Sequence, residues 1–132
     1  FDSPAAEAAT KADLNNASVM TRVDFHGLSF LLTGDAEKRV ETLLVAETDP
    51  SLLDVAILKA GHHGSNSSTH EPLIQAASPQ AAVISVGAEN TFGHPRQEVL
   101  DRLAGLPIWR TDQDGSVKFV YTKRGWYIDN HD

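Results

Sequence analysis

The sequence predicts an α/β fold, a mixed sheet with helices on one side and a C-terminal β-meander. Two observations carry this reading. A unit of apolar strand, loop and amphipathic helix recurs three times between Ser29 and Leu103, the alternation that builds a sheet covered by helices. Beyond Leu103 the period changes to short strands broken at Asp114-Gly115 and Arg124-Gly125, which reads as antiparallel ribbon. A length of 132 residues fits one compact domain.

The elements follow in order. Residues 1–15 are rich in Ala, Asp, Glu and Asn without strand alternation. They read as a linker or leader, with a short Ala-rich helix around Ala5 to Ala12, and the domain proper spans 16–132. Val19, Thr21, Val23 and Phe25 alternate with polar neighbours, which predicts a half-buried strand. His26-Gly27 turns the chain and Leu28 to Thr33 returns beside it, completing a hairpin. That strand ends in Gly34-Asp35 and leads into a helix over Ala36 to Glu47, with Val40, Leu43 and Leu44 on its buried stripe. Val55 to Lys59 ends in Gly61-His62-His63-Gly64-Ser65 and leads into a helix over Glu71 to Ala77. Ala81 to Val86 ends in a loop over Gly87 to His94. Pro95 is expected in the first turn of the next helix, whose Val99, Leu100 and Leu103 face inward. Ile108 to Thr111, Val117 to Thr122 and Trp126 to Asp129 are expected as a meander added at a sheet edge.

Composition narrows the function classes. The absence of cysteine excludes a disulfide framework and Cys-ligated zinc or iron–sulfur sites. Eleven basic against eighteen acidic residues give a net charge of −7, the wrong sign for a broad nucleic-acid-binding face. Bound cations could still supply local positive charge. No apolar run reaches the ~20 residues of a membrane span and no signal pattern opens the chain, so it reads as a soluble domain. No P-loop is present, and Ser65 lacks the G-x-S-x-G elbow of a serine hydrolase.

The polar residues at strand ends carry the chemical information. Asp35, His62, His63 and His94 all follow the carboxyl ends of strands, the rim where α/β sheets bind ligands. Such an N/O donor set suits Zn, Mn or Fe. Each residue also has a plainer reading. Asp35 could cap the following helix, the two adjacent histidines could be incidental to a polar surface loop, and His94 could be a helix-start residue. Ser65, Ser67, Ser68 and Thr69 form a polar loop suited to an anionic substrate. His26, His70 and His131 read as bystanders.

With these residues in place, the chain resembles the metallo-β-lactamase superfamily, and within it the C-terminal domain of ComEC-type DNA-internalisation proteins. The matching stretches are Asn16-Ala-Ser-Val-Met20, Phe30-Leu-Leu-Thr-Gly-Asp35, Ala56-Ile-Leu-Lys-Ala-Gly-His-His-Gly-Ser65 and Ile84-Ser-Val-Gly-Ala-Glu-Asn90. They continue through Phe92-Gly-His-Pro95, Val99-Leu-Asp-Arg-Leu103 and Arg110-Thr-Asp112 to Gly115. The ordered set, a double-His–Gly–Ser loop followed by Gly-His-Pro, carries the specificity.

The resemblance implies a four-layer αβ/βα sandwich with a two-metal site at the shared strand edge, where activated water attacks a phosphodiester or other ester. It implies Asp35 and His63 as metal ligands to Zn or Mn, His62 as a catalytic contact to the substrate phosphate, and Ser65 and His94 as substrate-binding groups. The family's His-x-His-x-Asp-His motif is absent from this sequence. The chain therefore reads as the second half of the fold, completed by an N-terminal half of the same domain and inactive alone. An exposed apolar sheet face would favour self-association. The implied context is a bacterial protein anchored in the cell membrane, with this domain on the outer face processing incoming DNA. Two alternatives stay open: another hydrolase of the fold, such as a phosphorylcholine esterase, and a non-catalytic binding or scaffold module.

Overall fold

The computed structural model describes residues 11–129. Most of the stretch expected to form an Ala-rich helix, and His131, lie outside the described residues. A short helix α1, Lys11–Asn16, leads into the sheet.

Five strands form one mixed sheet in the order β1-β2-β3-β4-β5: Thr21–Phe25, Leu28–Leu32, Ile57–Lys59, Ala81–Ile84 and Ile108–Arg110. β1 runs antiparallel to β2, and β2 to β5 run parallel. Between them lie helices α2 (Lys38–Glu47), α3 (Pro50–Leu53), α4 (Glu71–Ala77) and α5 (Gln97–Arg102). Period-two alternation divides each strand between two faces. Leu31, Leu58, Ala82 and Ile84 point to one face and bury against Leu73 and Ala77 of α4, Val99 of α5 and Leu103. That is the core. The architecture is the expected α/β one, and a single layer of helices on a mixed sheet is consistent with half of a sandwich.

The opposite face is covered differently from expectation. Ile108–Arg110 is not part of a meander; it is a parallel edge strand, followed by a short helix α6 over Thr111–Asp114. The last two strands, β6 (Lys118–Thr122) and β7 (Gly125–Asp129), form a separate antiparallel hairpin and do not extend the sheet edge. The reason is aromatic. Register places Phe119 with Ile128 and Tyr121 with Trp126 on one hairpin face, and these rings find apolar cover on the sheet. Phe119 meets Phe30 and Trp109 edge-on at 5.1 and 6.5 Å, while the Trp126 indole N–H donates to the His26 carbonyl at 3.0 Å.

Three further expectations are corrected. Val19, Val23 and Phe25 are 81%, 39% and 54% exposed, because they lie on or before the edge strand, on the face the hairpin covers only in part. On α2, Leu43 is exposed and the buried position belongs to Glu41. Pro95 precedes α5, whose N-cap is Arg96. Helix α3 was not foreseen, although Asp49-Pro50-Ser51 carries its signal: Asp49 accepts from the Ser51 N–H at 2.9 Å and Pro50 opens the turn. Among the described residues no helix is long and apolar enough to cross a membrane.

Candidate functional site

The parallel strands β2, β3 and β4 deliver three loops to one edge of the sheet. The loop after β3 carries His62 and His63 in a 3-10 turn over Gly61–Gly64. Both histidines have left-handed backbone, at φ 48° and 56°. Consecutive non-glycine residues in that region are strained and persist only where the surroundings hold them, a pattern common at functional sites.

The surroundings do hold them. From α2, the Glu41 carboxylate, 2% exposed, accepts the backbone N–H groups of Thr69 and His70 at 2.5 and 2.9 Å and lies 3.2 Å from His70 Nδ1. From α5, Arg102 donates to the carbonyls of Ser68 and Thr69 and to the Asn66 side chain. A buried carboxylate on one helix and a half-buried guanidinium on another thus fix the segment 66–70. The His62 N–H donates to the Gly34 carbonyl at 2.9 Å, which ties the loop to the one carrying Asp35. At Gly64 the third loop docks: Arg96 N–H donates to its carbonyl at 2.9 Å, and an added Cβ there would lie 2.6 Å from Pro95 Cβ.

These contacts orient the side chains. His63 is exposed, and its Nδ1 lies 2.8 Å from the Ser85 carbonyl at the end of β4. A carbonyl only accepts, so Nδ1 carries a proton, and in the neutral ring the lone pair is then on Nε2, the arrangement typical of a metal-ligating histidine. Asp35 does not cap α2. The N-cap is Glu37, and among the described residues the Asp35 carboxylate makes no hydrogen bond; its backbone N–H is held by Ser18 Oγ at 3.0 Å. The Asp35 charge acts on Lys59, whose ammonium pKa is pushed down by burial and partly restored by Asp35. The rings of His62 and His94 lie 5.9 Å apart, and those of His62 and His63 6.4 Å. Burial, and then the neighbouring His62, Arg96 and His63, hold the His94 pKa below its ordinary value. Ser65 and Ser67 hydroxyls lie 3.1 Å apart, with Ser67 Oγ 3.4 Å from His62 Nδ1.

The structure thus brings His62, His63, His94 and the serine loop together and ties Asp35's loop to them. Among the described residues, no group of three or more His, Asp or Glu side chains is placed to hold a metal ion. Asp35 and His63 are suited in chemistry to supply two ligands, fewer than the about three protein ligands of a catalytic zinc. Away from this site, His70 partners Glu41 and His26 stacks on Tyr121 at 4.1 Å. Sequence reasoning missed Glu41 and Arg102 as supports. Their signal was a glutamate in phase with Leu44 and Val45, and an arginine beside Leu103 in the last turn of α5.

No family model matches the chain. Over 120 residues, 89% of the chain, it is 40% identical to ComE operon protein 3 of Bacillus subtilis. It is 37% identical over 86% of its length to competence protein ComA of Neisseria gonorrhoeae. Over 71% of its length it is 39% identical to recombination protein 2 of Haemophilus influenzae. The matched segments are 15%, 16% and 11% of those proteins, so the chain spans under a fifth of the curated relatives it matches. Across most of its described fold, including the strand-edge loops of the site, the chain is homologous to a segment of bacterial competence-related proteins.

Proposed function

We propose that this chain is the C-terminal part of a metal-dependent phosphodiesterase unit, of the metallo-β-lactamase kind, within a DNA-uptake protein. Asp35 and His63 supply two ligands, and His62, Ser65 and His94 face the substrate phosphate. The observation that carries the reading is His63, strained, exposed and held through Nδ1 by the Ser85 carbonyl so that Nε2 points away from that bond, on a loop tied to the one carrying Asp35, which does not cap its helix. The names of the relatives supply the biological context.

Two divalent ions, when bound in such a site, orient a phosphate, generate hydroxide near neutral pH and stabilise the leaving oxygen. The chain's own residues position and neutralise. His63 presents Nε2 and Asp35 a carboxylate, while His94, with its depressed pKa, stays uncharged near neutral pH and serves as a hydrogen-bonding group. The serine hydroxyls around His62 offer donors to phosphate oxygens. The missing ligands come from a preceding half-domain that covers the part of the sheet face where Val23 and Phe25 are exposed.

The test is cleavage of DNA with Mn by a longer protein that includes the upstream region. Asp35→Ala and His63→Ala are each expected to reduce cleavage by at least about a hundredfold, the scale seen when a group acting on a developing charge is removed. Retained cleavage in both would remove this site from the chemistry. A parent that binds DNA without cutting it would leave the chain a binding module.

A further inference from the structure

Beside His63 the loop after β4 encloses a concavity of about 210 Å³, lined by His63, Val86, Gly87, Asn90, Phe92 and His94. Phe92 stands on its rim, 65% exposed, with its ring 5.8 Å from that of His94 and tilted by 29°. A phenyl ring left in water beside a polar site contributes nothing to the core. Nor does it sit on a loose loop. The Asn90 amide donates to the carbonyls of Gly87 and His94 at 2.9 and 2.8 Å and accepts the His94 N–H at 3.0 Å. Asn90 braces the loop and presents the ring.

The concavity is smaller than the roughly 300–1,000 Å³ of pockets for drug-sized ligands, which suits one planar ring. The guanidinium of the exposed Arg96 lies beside Gly93 and adds positive charge to the same loop. With a net charge of −7, the chain as a whole repels rather than attracts a polyanion. Recognition here has to come from local contacts, and every nucleobase has a π-face that stacks on an aromatic side chain regardless of sequence.

We propose that Phe92, braced by Asn90 and flanked by His94, is a base-stacking subsite that takes one unpaired nucleobase while the phosphate of that nucleotide reaches the double-histidine loop. The subsite rests on the phosphodiester reading above and deepens it. A base inside a duplex has no free face to offer, so the subsite selects single-stranded nucleic acid. It makes Phe92 a specificity-determining residue.

The test is an NMR titration of the 132-residue chain with thymidine 5′-monophosphate, deoxyribose 5-phosphate and thymidine. We expect thymidine and its monophosphate to shift the amides of Asn90, Phe92, Gly93 and His94. The monophosphate should bind at least about fivefold more tightly than deoxyribose 5-phosphate, the lower end of what base–aromatic stacking contributes. Phe92→Ala should erase that advantage and Phe92→Trp keep it. Both substitutions are at an exposed position, so an unchanged unfolding midpoint separates lost stacking from lost fold. Equal binding of the two phosphates, an advantage that survives Phe92→Ala, or no amide shift at millimolar thymidine monophosphate would each overturn the subsite. The two readings fail separately. Deoxyribose 5-phosphate perturbing His62 and His63 without any thymidine response would sink the subsite alone. Thymidine stacking at Phe92, with no phosphate response at the histidines, would count against the phosphodiester reading alone.

Discussion

Glu41→Ala should destabilise the protein by about 3–5 kcal/mol, and the figure follows from the groups the carboxylate serves. The side chain is 2% exposed and accepts two backbone N–H groups, from Thr69 and His70. Thr69 is itself 1% exposed, so its N–H cannot turn to water; an orphaned buried donor costs about 1–3 kcal/mol. His70 is only half-buried, so its N–H rehydrates in part and adds less, roughly the 1 kcal/mol of a net hydrogen bond. The vacated volume beneath the loop adds a further cavity term of the order of 1 kcal/mol. Glu41→Gln keeps one acceptor oxygen and should lose about half as much. Urea unfolding measures the total, with the midpoint falling at unchanged slope. Amide exchange locates it, with Thr69 and His70 accelerated well beyond the strands. A loss under about 1 kcal/mol in Glu41→Ala, or unchanged exchange at Thr69, would refute the idea that this carboxylate holds the double-histidine loop.

Other outcomes follow from neighbouring contacts. Gly64→Ala combines a φ of +81° with a Cβ placed 2.6 Å from Pro95 Cβ and 2.9 Å from its Cα. It should cost at least about 2 kcal/mol, since left-handed backbone alone costs about 1–2, and amide shifts should spread from Gly64 into residues 94–96. Stability should also fall with acid in two windows. The folded pKa of His94 is depressed from 6.5 by burial first and then by His62, Arg96 and His63; the unfolded state therefore takes up its proton first, and stability drops as pH falls from about 6.5 through the folded value. Asp112 is held below 3.8 by the Arg110 guanidinium, at 2.6 and 3.0 Å, so its contribution is present above that pH and is lost as pH falls through the lower folded value. Urea midpoints measured across pH, in the native chain and in His94→Gln and Asp112→Asn, check both windows; a variant that keeps the native slope in its window removes that residue as the cause.

What was legible in the sequence was periodicity. The helix over Glu71–Ala77 and the inward residues Val99 and Leu103 fall where the spacing put them, because a helical stripe names its own buried face. Pattern alone does not say which face has a partner. Val23 and Phe25 alternate as a buried strand would, yet their face is covered only where the hairpin reaches. Leu43 lost its place to Glu41 because two backbone N–H donors on a distant loop outweigh one leucine, a contact 28 and 29 residues away in sequence. For the same reason the strand-end positions of Asp35, His62, His63 and His94 were readable, while Arg102, the Ser85 carbonyl and the cradle around Phe92 were not. The first depend on local order along the chain, the second on how loops from different strands meet. The tail misled because a turn signal fixes a hairpin but not the surface it lies on.

The most direct measurement is a Zn or Mn titration of the 132-residue chain, followed by NMR shifts with Zn and line broadening with Mn, in the native chain and in Asp35→Ala and His63→Ala. We expect weak binding centred on Asp35 and His63, lost in either variant, as two ligands of an incomplete site require. Tight stoichiometric binding, or binding indifferent to both substitutions, would contradict the claim that this chain contributes part of a shared metal centre.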